Sequence, residues 1–170
     1  MFEIERDTGG FAVYTKFLPR IRHARGYGIH SPLVYSLIRN VFMKKHIGED
    51  TEIYDKIMET GTVNKVARDI QNFYDFYGFS GFSVNGVIHP VPGGNHLYVF
   101  SGSHIAGAAE DILSVEWEKG NVVCLMPGKS KERRSLCRTV AGGHPGVSID
   151  RKTYFLYFYN VSYEKQHYKL

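Results

Sequence analysis

The first half of the chain carries apolar residues at helical spacing. Between residues 11 and 22 they recur with the helical period, and Pro19 predicts a kink or an end there. Ser31 followed by Pro32 is typical of a helix N-cap and the first helical residue. Gly78 stands where the last of these helices should be capped. The pattern predicts four helices, over residues 11–22, 32–45, 52–59 and 63–77.

Beyond Gly78 the period changes to short apolar runs bounded by turn residues. These runs alternate with helical stretches, as in βαβ units with parallel strands, and the last two predict a C-terminal β-hairpin. The predicted strands cover residues 79–88, 96–101, 121–126, 146–150 and 153–160, and the helices cover residues 105–119 and 129–140. We therefore predict an α/β fold with a mostly parallel, Rossmann-like sheet and flanking helices. A helical N-terminal segment, residues 1–62, precedes the Rossmann-like body, residues 63–170, and the two are expected to form one compact unit.

The chain has 170 residues, which is enough to form one stable hydrophobic core without disulfide bonds or a structural metal ion. No apolar run is long enough to span a membrane, and the first residues lack the pattern of a secretory signal. Only two cysteines occur, Cys124 and Cys137, at no metal-binding or redox spacing. This predicts a cytoplasmic protein in which Cys124 is inert packing.

Aromatic residues are unusually frequent, with 12 Tyr and 11 Phe. The densest run, residues 154–159, alternates so that Tyr154, Leu156 and Phe158 share one face of a strand. Such a strand could stack single-stranded bases, but burial on both faces of the sheet is the interpretation we favour. Any exposed aromatic surface, or an open sheet edge, would allow a homo-oligomer.

Two basic stretches raise the question of nucleic acid. The net charge of +4 is modest, and nucleic-acid domains usually carry a stronger continuous basic face. Nucleic-acid binding is therefore possible but not favoured, with Lys129, Lys131, Arg133 and Arg134 as its candidate basic patch. The first stretch contains Lys16, Arg20, Arg22 and Arg25, and the second contains Lys129, Lys131, Arg133, Arg134 and Arg138 with Glu132 among them.

Several segments resemble one family. Residues 28–35 (GIHSPLVY) resemble the G-I-H-S-P-F-V-(F/Y) signature of bacterial class I S-adenosylmethionine-dependent methyltransferases common in Bacteroidetes. Residues 96–104 (HLYVFSGSH) resemble that family's fourth strand, and residues 105–117 resemble the helix after it. Residues 147–150 (VSID) and 164–170 (EKQHYKL) resemble its V-(S/T)-I-D and K-x-H-(F/Y)-x-L segments. The resemblance covers about two-thirds of the chain and implies a methyltransferase-like sheet.

The chain departs from this family where the cofactor should bind. A class I methyltransferase needs a glycine-rich turn after its first strand, and residues 78–86 and 92–95 lack the G-x-G spacing. The acid that usually ends the fourth strand is replaced by Ser101-Gly102-Ser103-His104. Residues 63–170 are also about thirty residues shorter than a complete seven-stranded fold requires. We therefore predict about five strands, with the cofactor-binding first half largely missing.

The resemblance still indicates where a ligand would bind. If S-adenosylmethionine binds, Ser101, Gly102, His104 and Gly128 are the candidate contacts. A second candidate, the ligand loop, contains Tyr27, His30 and Ser31, although a helix cap is the favoured interpretation of the last two.

Catalytic and metal chemistry find little support in the spacing. No Asp or Glu lies at a sequence spacing that would make it the acid partner of Ser101 and His104, so a nucleophile–base pair is not expected. His89, His96 and His104 match no metal-ligand spacing, and no metal is predicted. No catalytic residue is assigned, and no cofactor is expected unless the protein is an active enzyme.

The function predicted first is a degenerate, non-catalytic methyltransferase-like protein that acts as a binding or assembly module. The first alternative is an active small methyltransferase, which requires an open cleft lined by residues 101–104 and 127–130 at the strand ends. The second alternative is a nucleic-acid-binding protein that uses its basic stretches.

Overall fold

The computed structural model describes residues 31–89, 93, 95–117, 120–159 and 164–170. The predicted helix over residues 11–22, the basic residues 16–25, Tyr27 and His30 lie outside these residues. The helices are α1 (Pro32–Leu37), which continues into a π-helical turn (Ile38–Phe42), α2 (Glu52–Glu59), α3 (Asn64–Tyr77), α4 (His104–Ser114) and α5 (Lys131–Gly143). None of the helices described is long and apolar enough to cross a membrane.

The strands form one mixed sheet of six strands in the order β1-β2-β3-β5-β4-β6. The pairs β1–β2, β2–β3 and β4–β6 are parallel, and β5 runs antiparallel to both of its neighbours. Strands β4 and β5 form the predicted C-terminal hairpin. Their bounds are β1 (Gly81–Val84), β2 (His96–Ser101), β3 (Val122–Met126), β4 (Val147–Asp150), β5 (Phe155–Phe158) and β6 (Gln166–Lys169).

Helices cover both faces of the sheet. Helices α1, α2 and α3 pack on one face in a core that includes Leu156 and Phe158 of β5. Helices α4 and α5 pack on the other face in a core that includes Phe155 and Tyr157. The aromatic run is therefore buried on both sides, which confirms core packing over base stacking. The described N-terminal helices and the sheet share one of these cores.

Two predicted helices end earlier than expected. Helix α1 and its π-helical turn stop at Phe42, and the N–H of Met43 bonds the carbonyl of Ile38. Helix α4 stops at Ser114 because the buried Trp117 turns back and its Nε1 donates to the carbonyl of Ile112 at 3.0 Å. That bond occupies one of the carbonyls that a helix leaves free at its end.

The prediction of about five strands was wrong by one. Strand β6 pairs with β4 at the sheet edge, and its residues are mostly exposed. An exposed edge strand of Gln, His, Tyr and Lys has neither the apolar run nor the alternation that predicts a strand. Only Leu170, which follows it, is buried.

The approach of His144 to the sheet requires a glycine at position 146. The Nε2 of the buried His144 lies 3.2 Å from the carbonyl of Val147 and 3.0 Å from that of Phe158. A Cβ at Gly146 would lie 2.5 Å from the Phe158 carbonyl oxygen and 3.2 Å from that Nε2. No side chain fits there without moving backbone.

Gly146→Ala should therefore lower the free energy of unfolding by about 1–3 kcal/mol, as overpacking does. Gly142→Ala is the matched control, because it lies in α5 and a Cβ there meets no atom within 4 Å. It should raise stability by up to about 1 kcal/mol through helix propensity. Urea unfolding of both variants checks the sign, and equal effects would contradict the close approach.

Candidate functional site

A cavity of about 380 Å³ lies at the carboxyl ends of β2 and β3. We call it the carboxyl-edge cavity. Four segments line it: residues 60–63 between α2 and α3 with Val66 of α3, residues 101–102 at the end of β2, residues 126–129 at the end of β3 with two residues of α5, and Thr153 in the β4–β5 turn. From the third segment the lining residues are Met126, Pro127, Gly128, Lys129, Arg133 and Arg134. Ligands of α/β sheets commonly bind in this position, outside the carboxyl ends of parallel strands.

Ser101, the last residue of β2, is fixed to the end of β1. Its Oγ accepts a hydrogen bond from Asn85 Nδ2 at 3.0 Å, and its N–H donates to Asn85 Oδ1 at 2.8 Å. Asn85 adopts a left-handed conformation, with φ of 53°, at the end of β1. This pair of bonds makes Ser101 a buried anchor between two parallel strands.

The candidate cofactor contacts are only partly brought together. Ser101, Gly102 and Gly128 line the cavity, whereas His104 does not. His104 is the exposed first residue of α4. No hydrogen bond joins it to Ser101 in the described part of the chain, so the two residues do not form a nucleophile–base pair.

Two arginines in the first turns of α5 bond their side chains to the loop after β3. Arg133 Nε donates to the carbonyl of Pro127 at 3.0 Å. Arg134 Nε and Nη2 donate to the carbonyl of Gly128 at 3.2 and 3.0 Å. Both residues are half-buried, and these bonds hold their guanidinium groups against the loop that lines the cavity.

The candidate basic patch divides between cavity and surface. Lys129, Arg133 and Arg134 line the cavity, and Lys131 is exposed outside it. The nearest acid in sequence, Glu132, does not line the cavity. Its Oε2 accepts a bond from Ser130 Oγ at 2.6 Å, and this bond lowers the pKa of the Glu132 carboxyl. All charged residues that line the cavity are basic.

The remaining candidate residues cap a helix or pack in the core. Ser31 caps α1, because its Oγ accepts from the N–H of Val34 at 3.4 Å. Cys124 and Cys137 are buried free thiols whose pKa values are raised by burial, as expected of inert packing. Among the described residues, no group of three His, Cys, Asp or Glu side chains is placed to hold a metal ion.

Two features escaped the sequence analysis. Residues 60–63, between α2 and α3, form one wall of the cavity, and no residue type there indicates a ligand. A second cavity, of about 390 Å³, lies between the ends of α4 and α5 and is lined by Trp117, His144 and Tyr159. Burial lowers the pKa of His144 to about 4, so its ring is neutral and donates from Nε2 to the two carbonyls.

Comparison of the chain with protein-family models, curated proteins and solved structures finds no match.

Proposed function

We propose that this chain is a methyltransferase-like protein that does not catalyse methyl transfer and instead binds a ligand in its carboxyl-edge cavity. The observation that carries the proposal is the charge of the lining: Lys129, Arg133 and Arg134 are basic, and no lining residue is an acid. The sulfonium of S-adenosylmethionine is a cation, and three cations around one cavity disfavour it. The ribose of a bound cofactor also finds no carboxylate partner there.

The segments that resemble the methyltransferase family support the fold behind this proposal. Residues 96–101 form β2, and α4 follows after two residues. Residues 147–150 form β4, and residues 166–169 form β6 beside it. The connection from β1 to β2 contains no helix among its described residues, 85–89, 93 and 95. The absence of a helix from these described residues fits the loss of a cofactor-binding first half.

The cavity also lacks a group prepared for chemistry. The hydroxyl of Ser101 is bonded to Asn85. Thr60 Oγ1 donates to the carbonyl of Ile57 at 2.7 Å, and no His lines the cavity. No His, Asp or Glu is among the lining residues, so the side chains that most often act as general bases are not there, which favours a binding role over an enzymatic one.

One observation favours the active enzyme as second candidate. An active methyltransferase requires an open cleft at the ends of β2 and β3, and the carboxyl-edge cavity lies there. Nucleic-acid binding gains less, because Arg133 and Arg134 are half-buried and bonded to loop carbonyls instead of extending a basic face. An assembly role would use β1 or β6, the two edge strands of the sheet.

Isothermal titration calorimetry with S-adenosylmethionine and S-adenosylhomocysteine separates the two leading candidates. We expect no saturable binding of either compound up to about 1 mM. A dissociation constant of about 1 mM corresponds to a binding free energy of only about −4 kcal/mol. S-adenosylhomocysteine lacks the sulfonium charge and therefore tests the rest of the cofactor site separately. Binding of both compounds at micromolar concentration would show that the cofactor site is retained and would contradict the proposal. Binding of S-adenosylhomocysteine alone would leave a cofactor-like site without a methyl donor and would also exclude the active enzyme.

A further inference from the structure

We propose that the ligand of the carboxyl-edge cavity is a small organic molecule that carries a phosphate group. This inference rests on the proposed function and names the chemical class of its ligand. The phosphate would lie against Arg133 and Arg134, with Lys129 at the cavity rim. The organic part would contact Val66 and Met126, two apolar lining residues that are both buried.

The geometry of the arginines carries the first step. Each guanidinium is tied to a backbone carbonyl of the loop after β3, so it is oriented before any ligand arrives. Arg133 uses only Nε in that bond, and neither of its Nη nitrogens is hydrogen-bonded among the described residues. Arg134 likewise keeps Nη1. Preoriented guanidinium N–H groups match the oxygens of a phosphate, and prior ordering reduces the entropy lost on binding.

The positive charge of the lining also favours a phosphate. Three basic side chains and no acid line one cavity, and a phosphate monoester carries a charge of about −1.5 to −2 at neutral pH. A carboxylate would neutralise less of that positive charge. The field of the helices has the same sign, because α4 and α5 begin at His104 and Lys131, each two residues after the lining residues Gly102 and Lys129.

Size carries the third step. The cavity volume of about 380 Å³ lies within the range of small-molecule sites and exceeds what one inorganic phosphate fills. The lining also includes the apolar side chains of Val66 and Met126 and the hydroxyls of Thr62 and Thr153. A cavity lined by both basic and apolar side chains suits a phosphorylated metabolite better than a free anion.

The test uses the full chain, with inorganic phosphate, adenosine and adenosine 5′-monophosphate as probes in calorimetry at constant ionic strength. We expect saturable binding of phosphate and of the monophosphate at one site per chain, and none of adenosine. Arg133→Gln and Arg134→Gln should each weaken phosphate binding about tenfold or more, as loss of a charged hydrogen bond does. Arg138→Gln, an exposed change on the same helix with the same loss of charge, is the matched control.

The outcomes are distinct. Equal phosphate affinity in Arg133→Gln, Arg134→Gln and Arg138→Gln, or no saturable phosphate binding, would overturn the inference while leaving the non-catalytic proposal standing. Affinity for single-stranded oligonucleotides that rises with their length, with no binding of the monophosphate, would also overturn it in favour of a nucleic-acid surface. Displacement of phosphate by S-adenosylmethionine would instead overturn the proposed function. Arg133→Lys keeps the charge and, with unchanged thermal unfolding as the check of folding, should retain part of the affinity.

Discussion

Replacing Arg151 with Met is expected to lower the free energy of unfolding by about 3–5 kcal/mol, because it leaves a buried carboxylate without its main partner. Arg151 Nη2 lies 3.5 Å from Asp69 Oδ2, and the Asp69 side chain is 2% exposed. Tyr154 donates its hydroxyl hydrogen to the same oxygen at 3.3 Å. The Arg151 guanidinium also lies 4.3 Å from the centre of the Phe42 ring. One side chain thus joins helix α3, the π-helical turn and the β4–β5 turn.

The loss should depend on pH. Burial raises the pKa of the Asp69 carboxyl in the folded protein, and the charges of Arg151, Arg68 and Lys65 oppose that rise. Stability from a raised pKa is present below the unfolded pKa and is lost as the pH rises through the folded pKa. Removing Arg151 raises that pKa further, so the variant should lose more stability relative to the parent at about pH 7 than at about pH 5.

Urea unfolding of the parent and of Arg151→Met at both pH values checks this expectation. Glu52→Gln is the control, because it removes an exposed i,i+4 ion pair with Lys56, which is worth only about 0.3–0.5 kcal/mol. A loss in Arg151→Met no larger than that of the control would show that Asp69 is not buried against the hairpin. A loss that does not change with pH would show that Asp69 does not titrate as described.

The parts of the fold that could be predicted from the sequence are those with a strong local pattern. Strand β2 and helix α2 occupy the residues expected, and the aromatic run of β5 is buried on both faces, which is the favoured interpretation for an apolar strand in an α/β sheet. Helix α3 ends at Tyr77 and is capped by Gly78, as predicted. Each of these signals lies within one turn or one strand, where period and capping decide the structure.

What escaped prediction depends on side-chain contacts that leave no periodic pattern in the sequence. The end of α4 is decided by the indole of Trp117, which bonds a carbonyl of the helix it has left. The partners Asp69 and Arg151 are 82 residues apart, and neither lies in a pattern that indicates burial of charge. Charged residues are almost always exposed, so the sequence favours placing both at the surface.

The candidate site divides along the same line. Ser101, Gly102, His104 and Gly128 were predicted as contacts of one ligand, and all but His104 line the cavity, since carboxyl ends of neighbouring parallel strands meet at one edge of a sheet. The basic residues Arg133 and Arg134 were predicted separately, as a patch, and the structure places them in the same cavity. The wall formed by residues 60–63 could not be predicted, because it requires the packing of a helical hairpin against that edge.

Phe73→Ala is expected to be the most destabilising substitution in α3, with a loss of about 3–5 kcal/mol from transfer and cavity costs. Phe73 is fully buried where α3 crosses the sheet. Its ring centre lies 5.2 Å from that of Phe79 and 5.8 Å from that of Phe158, both in edge-on geometry. Such aromatic pairs add about 0.5–1.5 kcal/mol beyond the area they bury.

The matched control is Phe76→Ala, three residues along the same helix, where the side chain is 43% exposed. It removes the same atoms and should cost about 1 kcal/mol or less, as partly exposed positions usually do. Urea unfolding measures both losses: when the slope of the transition is unchanged, the shift of its midpoint gives the change in the free energy of unfolding. Equal losses in the two variants would contradict the packing of α3 on β5. The first turn of α3 contributes Val66 to the lining of the carboxyl-edge cavity. Phe73→Ala should therefore weaken phosphate binding only as far as it unfolds the protein, whereas Arg133→Gln should weaken binding in a fully folded chain.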